Sequence, residues 1–200
     1  MAKIKYNKFA QTVLYLLHHC TSEPPGKRAL LKMLWYADYW HYKENLRLLT
    51  GGEYVALRDG PTLNNYEALF TKLENDGIVK RRMVKVLHQR SLKEEFQPKM
   101  EPDLAQFTDS ERTVLAEVVR RCGNVAGNAL SERTHREGPW QLVWDERRIG
   151  QPVRPIVFRW LENLPTERDI VHARKTLSRP GVLGEISALN RKPAAASAAA

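Results

Sequence analysis

Four side chains in this sequence have the types and spacing to do chemistry together. Asp38 and His41 stand three residues apart, close enough on one helix to share a proton or a ligand. His135 and Glu137 form a second pair that a fold could bring beside the first, giving an acid-base group or a metal site of mixed nitrogen and oxygen donors. Each of the four also has an architectural explanation. A carboxylate on an apolar helix face needs hydrogen bonds, and a following loop can donate them. An imidazole among aromatics packs, and one at a helix end suits the helix dipole. His18, His19 and Cys20 are adjacent, so on a helix they point apart and make a weak metal motif. No phosphate-binding glycine loop, nucleophile elbow or paired CxxC occurs. These residues read best as architecture, with no catalytic residue, no cofactor and no metal.

The element that must position Asp38 is the segment 30–61. Leu31, Leu34, Trp35, Asp38 and Tyr42 recur at spacings of three and four, so the pattern predicts a helix over about 27–45 with one acid on its apolar face. After it, Gly51, Gly52 and Gly60 let the backbone approach closely, and 53–57 alternates as a short strand would. Pro61, following Gly60, reads as the first residue of another helix. Asp38 is therefore expected to accept backbone N–H groups from this loop and to clamp it.

Around that segment the periodicity is mostly helical. Tyr6, Phe9, Val13, Leu14 and Leu17 predict a first helix, stopped by the prolines and glycine of 21–26. Tyr66, Leu69, Phe70 and Leu73 predict a third, closed by Gly77. The period then changes at Ile78, Val79 and 83–87, which predict a small hairpin, with 89–95 as a polar stretch before Phe96. Thr108 and Glu111 form a capping box ahead of Val114, Leu115, Val118 and Cys122. A shorter helix follows over 124–135, and Gly138 and Pro139 open one that carries Trp140 and Trp144. Ile156, Val157, Trp160 and Leu161 read as a helical stripe over 154–164. The expected fold is mainly α, a compact helical domain with a small β-hairpin that makes a winged-helix-like element. It divides as a domain over 1–147, a helical extension over 148–183 and an unstructured tail over 184–200.

Composition narrows the function classes. With 200 residues and 42% hydrophobic content the chain can bury a core, while no apolar run approaches the roughly 20 residues a bilayer requires. The basic and then apolar order of 1–20 is too short for a signal peptide and reads as an amphipathic helix. Cys20 and Cys122 look like reduced thiols of a cytoplasmic protein. The net charge of +9 is carried mainly by the first half, where Lys80, Arg81, Arg82, Lys85 and Arg90 form a strip without acids. Such a strip favours an acidic partner, either nucleic acid or protein. In a DNA-binding version Asn64, Asn65, Glu67 and Lys72 would face the major groove, with the hairpin as a wing on phosphates. Glu67, Glu74 and Asp76 make that helix a poor groove reader, so protein contact fits better. Exposed anchors for a protein partner would come from Tyr39, Trp40 and Tyr42, the corner at Arg58, and Arg81, Arg82 and Lys85 of the hairpin.

Four pieces occur in order: LLKMLWYADYWH, TGGEYVALRDGP, NYEALFTKLENDGIV and ALSERTHREGPW. Together they resemble the Panacea domain of the SocA-like antitoxins of bacteria and their phages. Thr62 and Leu63 stand where members often carry a second proline or valine, and Arg58 occupies a variable position. The resemblance implies a non-enzymatic protein that neutralises a cognate protein toxin by binding it. One relative delivers its toxin to the ClpXP protease, so a proteolytic-adaptor role is implied as well. Trp35, Asp38, His41, Tyr54, Gly60, Pro61, His135, Pro139 and Trp140 would be the structural motif, and the alternative remains a DNA-binding regulator.

Overall fold

Apolar side chains at helical spacing build the first two helices. In a computed structural model, which describes residues 4–20, 24–85, 92–144, 154–156 and 158, helix α1 spans Tyr6–His19 and buries Phe9, Val13, Leu14, Leu16 and Leu17. Helix α2, Lys27–Asn45, is buried at every position from 29 to 39 and again at His41 and Tyr42. Burial on all sides marks it as the central element, and it packs against α1, against β2 (Gly60–Leu63), and against α4 (Asp109–Cys122) and α5 (Gly127–Thr134). It ends at Leu46, whose left-handed φ of 53° turns the chain back.

Strand β1, Tyr54–Leu57, pairs with β2 on one side and with β5, Arg154–Ile156, on the other. Tyr54 stands opposite Leu63 in one ladder and opposite Ile156 in the other. Two expectations are corrected here. Pro61 opens no helix but lies in β2, and residues 154–156 are strand rather than helix. The same physics explains both. A central strand needs backbone partners on each side, and an edge strand tolerates the missing N–H of proline on its open side. Pro61 opposite Ala56 and Pro155 opposite Val55 occupy the two edges of this sheet.

Helix α3, Tyr66–Asn75, leads through Gly77 at φ +71° into the hairpin β3, Val79–Lys85, and β4, Leu92–Pro98. The polar residues 92–95 belong to the second strand, because each completes the ladder from β3, as Arg82 opposite Glu95 shows. Val79 and Phe96 are buried at the base of the hairpin, and its tip, 86–91, lies outside the described residues. Helix α4 begins with the expected capping box: Glu111 N–H donates to Thr108 Oγ1 at 3.3 Å and Thr108 N–H donates to Glu111 Oε2 at 2.8 Å. Lys8 donates to the same Glu111 oxygen at 2.8 Å, tying α1 to α4. Helix α6, Gly138–Gln141, carries Pro139 in its first turn.

The result is mainly α with small β elements. One apolar cluster joins Phe9, Trp35, Tyr54, Phe70, Phe96, Leu115 and Trp140, and it includes Ile156 and Phe158 from beyond position 147. The chain divides into units 1–161 and 162–200, and the second, with most of the expected extension over 148–183 and the tail over 184–200, lies outside the described residues. Among the described residues no helix is long and apolar enough to cross a membrane.

Candidate functional site

Asp38 is fully buried on α2, and its oxygens are taken by the loop that follows. Oδ1 accepts the Thr50 N–H at 2.7 Å, while Oδ2 accepts the Thr50 hydroxyl and, at 2.9 Å, the Tyr54 phenol. Thr50 Oγ1 in turn accepts the Gly52 N–H at 3.1 Å. A Cβ on Gly52 would stand 2.6 Å from Leu63 Cδ1 and 3.3 Å from Asp38 Oδ2, so a larger residue would push the Leu63 side chain aside and crowd the acid. The acid clamps a glycine turn as expected, with Thr50 and Tyr54 as donors. Burial raises the Asp38 carboxyl above the usual carboxylate range, and the bonds from Thr50 and Tyr54 and the nearby His41 offset that in part. Burial and the adjacent acid hold Tyr54 far above its ordinary value, so it keeps its proton and donates.

His41 is also buried. Its Nδ1 lies 2.7 Å from the Arg47 carbonyl, which can only accept, so that nitrogen carries the proton. Nε2 faces Ser110 Oγ on α4 at 3.4 Å, and Ser110 donates to Asn45 at 3.2 Å. The Ser110 bond to Asn45 therefore fastens the end of α2 to α4, while the His41 imidazole holds the Arg47 carbonyl. His135 instead stacks on Trp140 with ring centroids 4.4 Å apart. Glu137 accepts the Tyr36 phenol at 3.4 Å and also bonds Tyr39, and burial raises its carboxyl. The four candidate side chains serve separate joints. Among the described residues no three His, Cys, Asp or Glu side chains are grouped to hold a metal ion. His18 and His19 bond main-chain carbonyls, and both cysteines are free thiols that burial pushes up to about 11.

Gly60 and Pro61 belong to a second joint, built around a residue that sequence reasoning missed. Lys32 is 1% exposed, and its ammonium donates to the Pro61 carbonyl at 2.8 Å. Gly60 has φ +96°, and a Cβ there would collide with Thr134 Oγ1 and stand 3.1 Å from Lys32 Nζ. Ser131 on α5 donates to the Asp59 carbonyl, and Trp140 Nε1 donates to the Leu57 carbonyl at 2.9 Å. The β1–β2 turn is thus held by α2, α5 and α6 together. Burial pushes Lys32 down to about 7, with Asp59 opposing. A signal was present, since Lys32, Trp35, Tyr36 and Tyr39 share the spacing that marks the buried stripe. Trp35 itself packs edge-on to Tyr54 at 5.1 Å and stacks on Tyr39 at 5.3 Å.

The expected partner-facing residues are spread over distinct settings. Tyr39 and Tyr42 are buried, while Trp40 is half-buried between Tyr36 and the Arg121 guanidinium, 5.3 Å from its ring. Arg58, Arg82 and Lys85 are exposed. Arg81 is engaged by Glu74 at 2.8 Å, by Glu94 at 3.4 Å and by Glu67 at 3.5 Å, and Lys27 pairs with the latter two acids. The outward side of α3 therefore presents carboxylates already bound to cations of this chain.

No curated protein and no solved structure matches the chain. A family model, described as Antitoxin SocA-like, Panacea domain, matches residues 30–141. That span takes in both joints, from Lys32 and Asp38 on α2 to Trp140 on α6. With more than half of its length matched, the chain belongs to the SocA-like antitoxin, Panacea-domain family.

Proposed function

We propose that the chain neutralises a cognate protein toxin by stoichiometric binding through its outer surface, without catalysis. One observation carries this reading beside the family match. The side chains best suited to chemistry, Asp38 and His41, are buried and bonded to Thr50, Tyr54 and the Arg47 carbonyl, so they build the domain and leave the surface to act. Blocking the working face of the toxin needs only such a surface, and delivery to ClpXP would be a later step for the same complex.

Co-expression with the product of the adjacent reading frame tests the reading. We expect an equimolar complex and restored growth, and a fall in toxin level only where ClpXP is present if delivery occurs. Failure of the folded chain both to bind and to rescue would overturn it. The exposed Arg82 and Lys85 support a second reading, binding to promoter DNA, which predicts an affinity that falls steeply with salt.

A further inference from the structure

Strand β3 has one edge paired with β4, and among the described residues its other edge pairs with no strand. Three contacts fix which backbone groups face outward. Lys99 N–H donates to the Ile78 carbonyl at 3.0 Å, so the even-numbered residues of this segment exchange bonds with β4. Pro98, which has no N–H, stands opposite Val79. Arg81 N–H turns away from β4 to the Glu74 carboxylate at 3.0 Å. Alternation then points the N–H and C=O groups of Met83 and Lys85 outward, and among the described residues nothing bonds them there.

The side chains along this edge are also uncommitted. Arg82 and Lys85 are exposed and make no ion pair among the described residues, in contrast to Arg81. Met83 is 60% exposed, and Leu92, opposite Lys85, is 56% exposed on the same face. The edges of the other sheet carry Pro61 and Pro155, which restrict further pairing, whereas β3 has neither proline nor acid. We infer that the open edge of β3, residues 82–85, receives an extended acidic segment of the toxin as an added strand. Backbone bonds to Met83 and Lys85 give it register, the two cations select acidic side chains, and Met83 covers an apolar one. Phosphates would meet the cations but have nothing to place on Met83, which favours a peptide. The inference rests on the antitoxin reading above.

The test uses the full chain and the purified product of the adjacent reading frame. Met83→Pro removes an outward N–H that β4 does not use, so it should leave the hairpin intact while blocking an added strand. We expect binding by calorimetry to weaken about tenfold or more with little change in Tm. Hydrogen exchange on the unmodified complex gives an independent reading: the Met83 and Lys85 amides should gain about tenfold protection or more. Arg82→Glu with Lys85→Glu should also weaken binding and flatten its salt dependence. If Met83→Pro folds and binds within about twofold of the parent, or if those amides gain no protection in a formed complex, the strand-addition inference is overturned and the antitoxin reading stands. Weakening by the charge reversal alone would equally overturn it, leaving only an electrostatic rim. If the unmodified chain forms no complex, both fail. Should Met83→Pro not fold, the exchange measurement decides.

Discussion

Lys32→Met is the perturbation that most directly tests how the β1–β2 corner is held. The lysine is 1% exposed and its amine is pushed down to about 7, whereas an unfolded lysine titrates near 10.4. Between those values the unfolded chain binds a proton that the folded chain does not, so folding stability must rise with pH. The slope approaches about 1.4 kcal/mol per pH unit, and allowing for partial protonation near neutrality, going from about pH 7 to about pH 9 adds roughly 2 kcal/mol. Below about pH 7 the full penalty of burying the ammonium remains and the dependence flattens. Cys20 and Cys122, pushed up to about 11, act in the opposite sense above their unfolded value, so the parent's curve alone would mix several groups. Denaturant unfolding of the parent and of Lys32→Met at matched pH removes those shared contributions. The difference, parent minus variant, should climb by roughly 2 kcal/mol over that interval, because the methionine side chain has no proton to lose. A difference that stays flat, or falls as pH rises, would refute the picture of a desolvated lysine.

Asp38→Ala leaves the Thr50 and Tyr54 donors buried without an acceptor and should cost about 3 kcal/mol by denaturant unfolding; rescue of growth should fall only as far as folded protein falls. Asp38→Asn that keeps its fold but loses rescue would point to chemistry instead. Gly60→Ala forces a Cβ into the left-handed region and against Thr134, so a loss of about 2 kcal/mol or more is expected in the same assay. Thr108→Ala removes the cap of α4 and should cost about 1 kcal/mol, seen as a small fall in Tm.

Features set by local sequence were legible in it. The capping box at Thr108 needs only neighbours along the chain, and the span of α2 follows from its apolar spacing and the breakers on each side. Asp38 stood out because a carboxylate interrupts a greasy face. Lys32 lies on the same helix but escaped notice, since a lysine at a helix surface normally runs its stem along the core and keeps its charge in water. Its burial depends on the Pro61 carbonyl arriving from elsewhere in the chain. Pro61 carries two local meanings, helix start and strand edge, and the unfilled side of β1 decides between them. Strand β5 was illegible for the same reason: three residues with a proline at the centre have no periodicity, and their partner lies about a hundred positions earlier. Tyr39 and Tyr42 suit an interface and an interior alike, as aromatics do, and the fold places both inside.

That long reach of β5 has a consequence for synthesis. When β1 and β2 leave the ribosome, the third strand of their sheet has not yet been made. At about 5–20 residues per second it follows roughly 5–20 s later. Throughout that interval the far side of β1 offers bare amides and carbonyls to any neighbouring chain, so the sheet is most open to wrong partners before translation reaches residue 156.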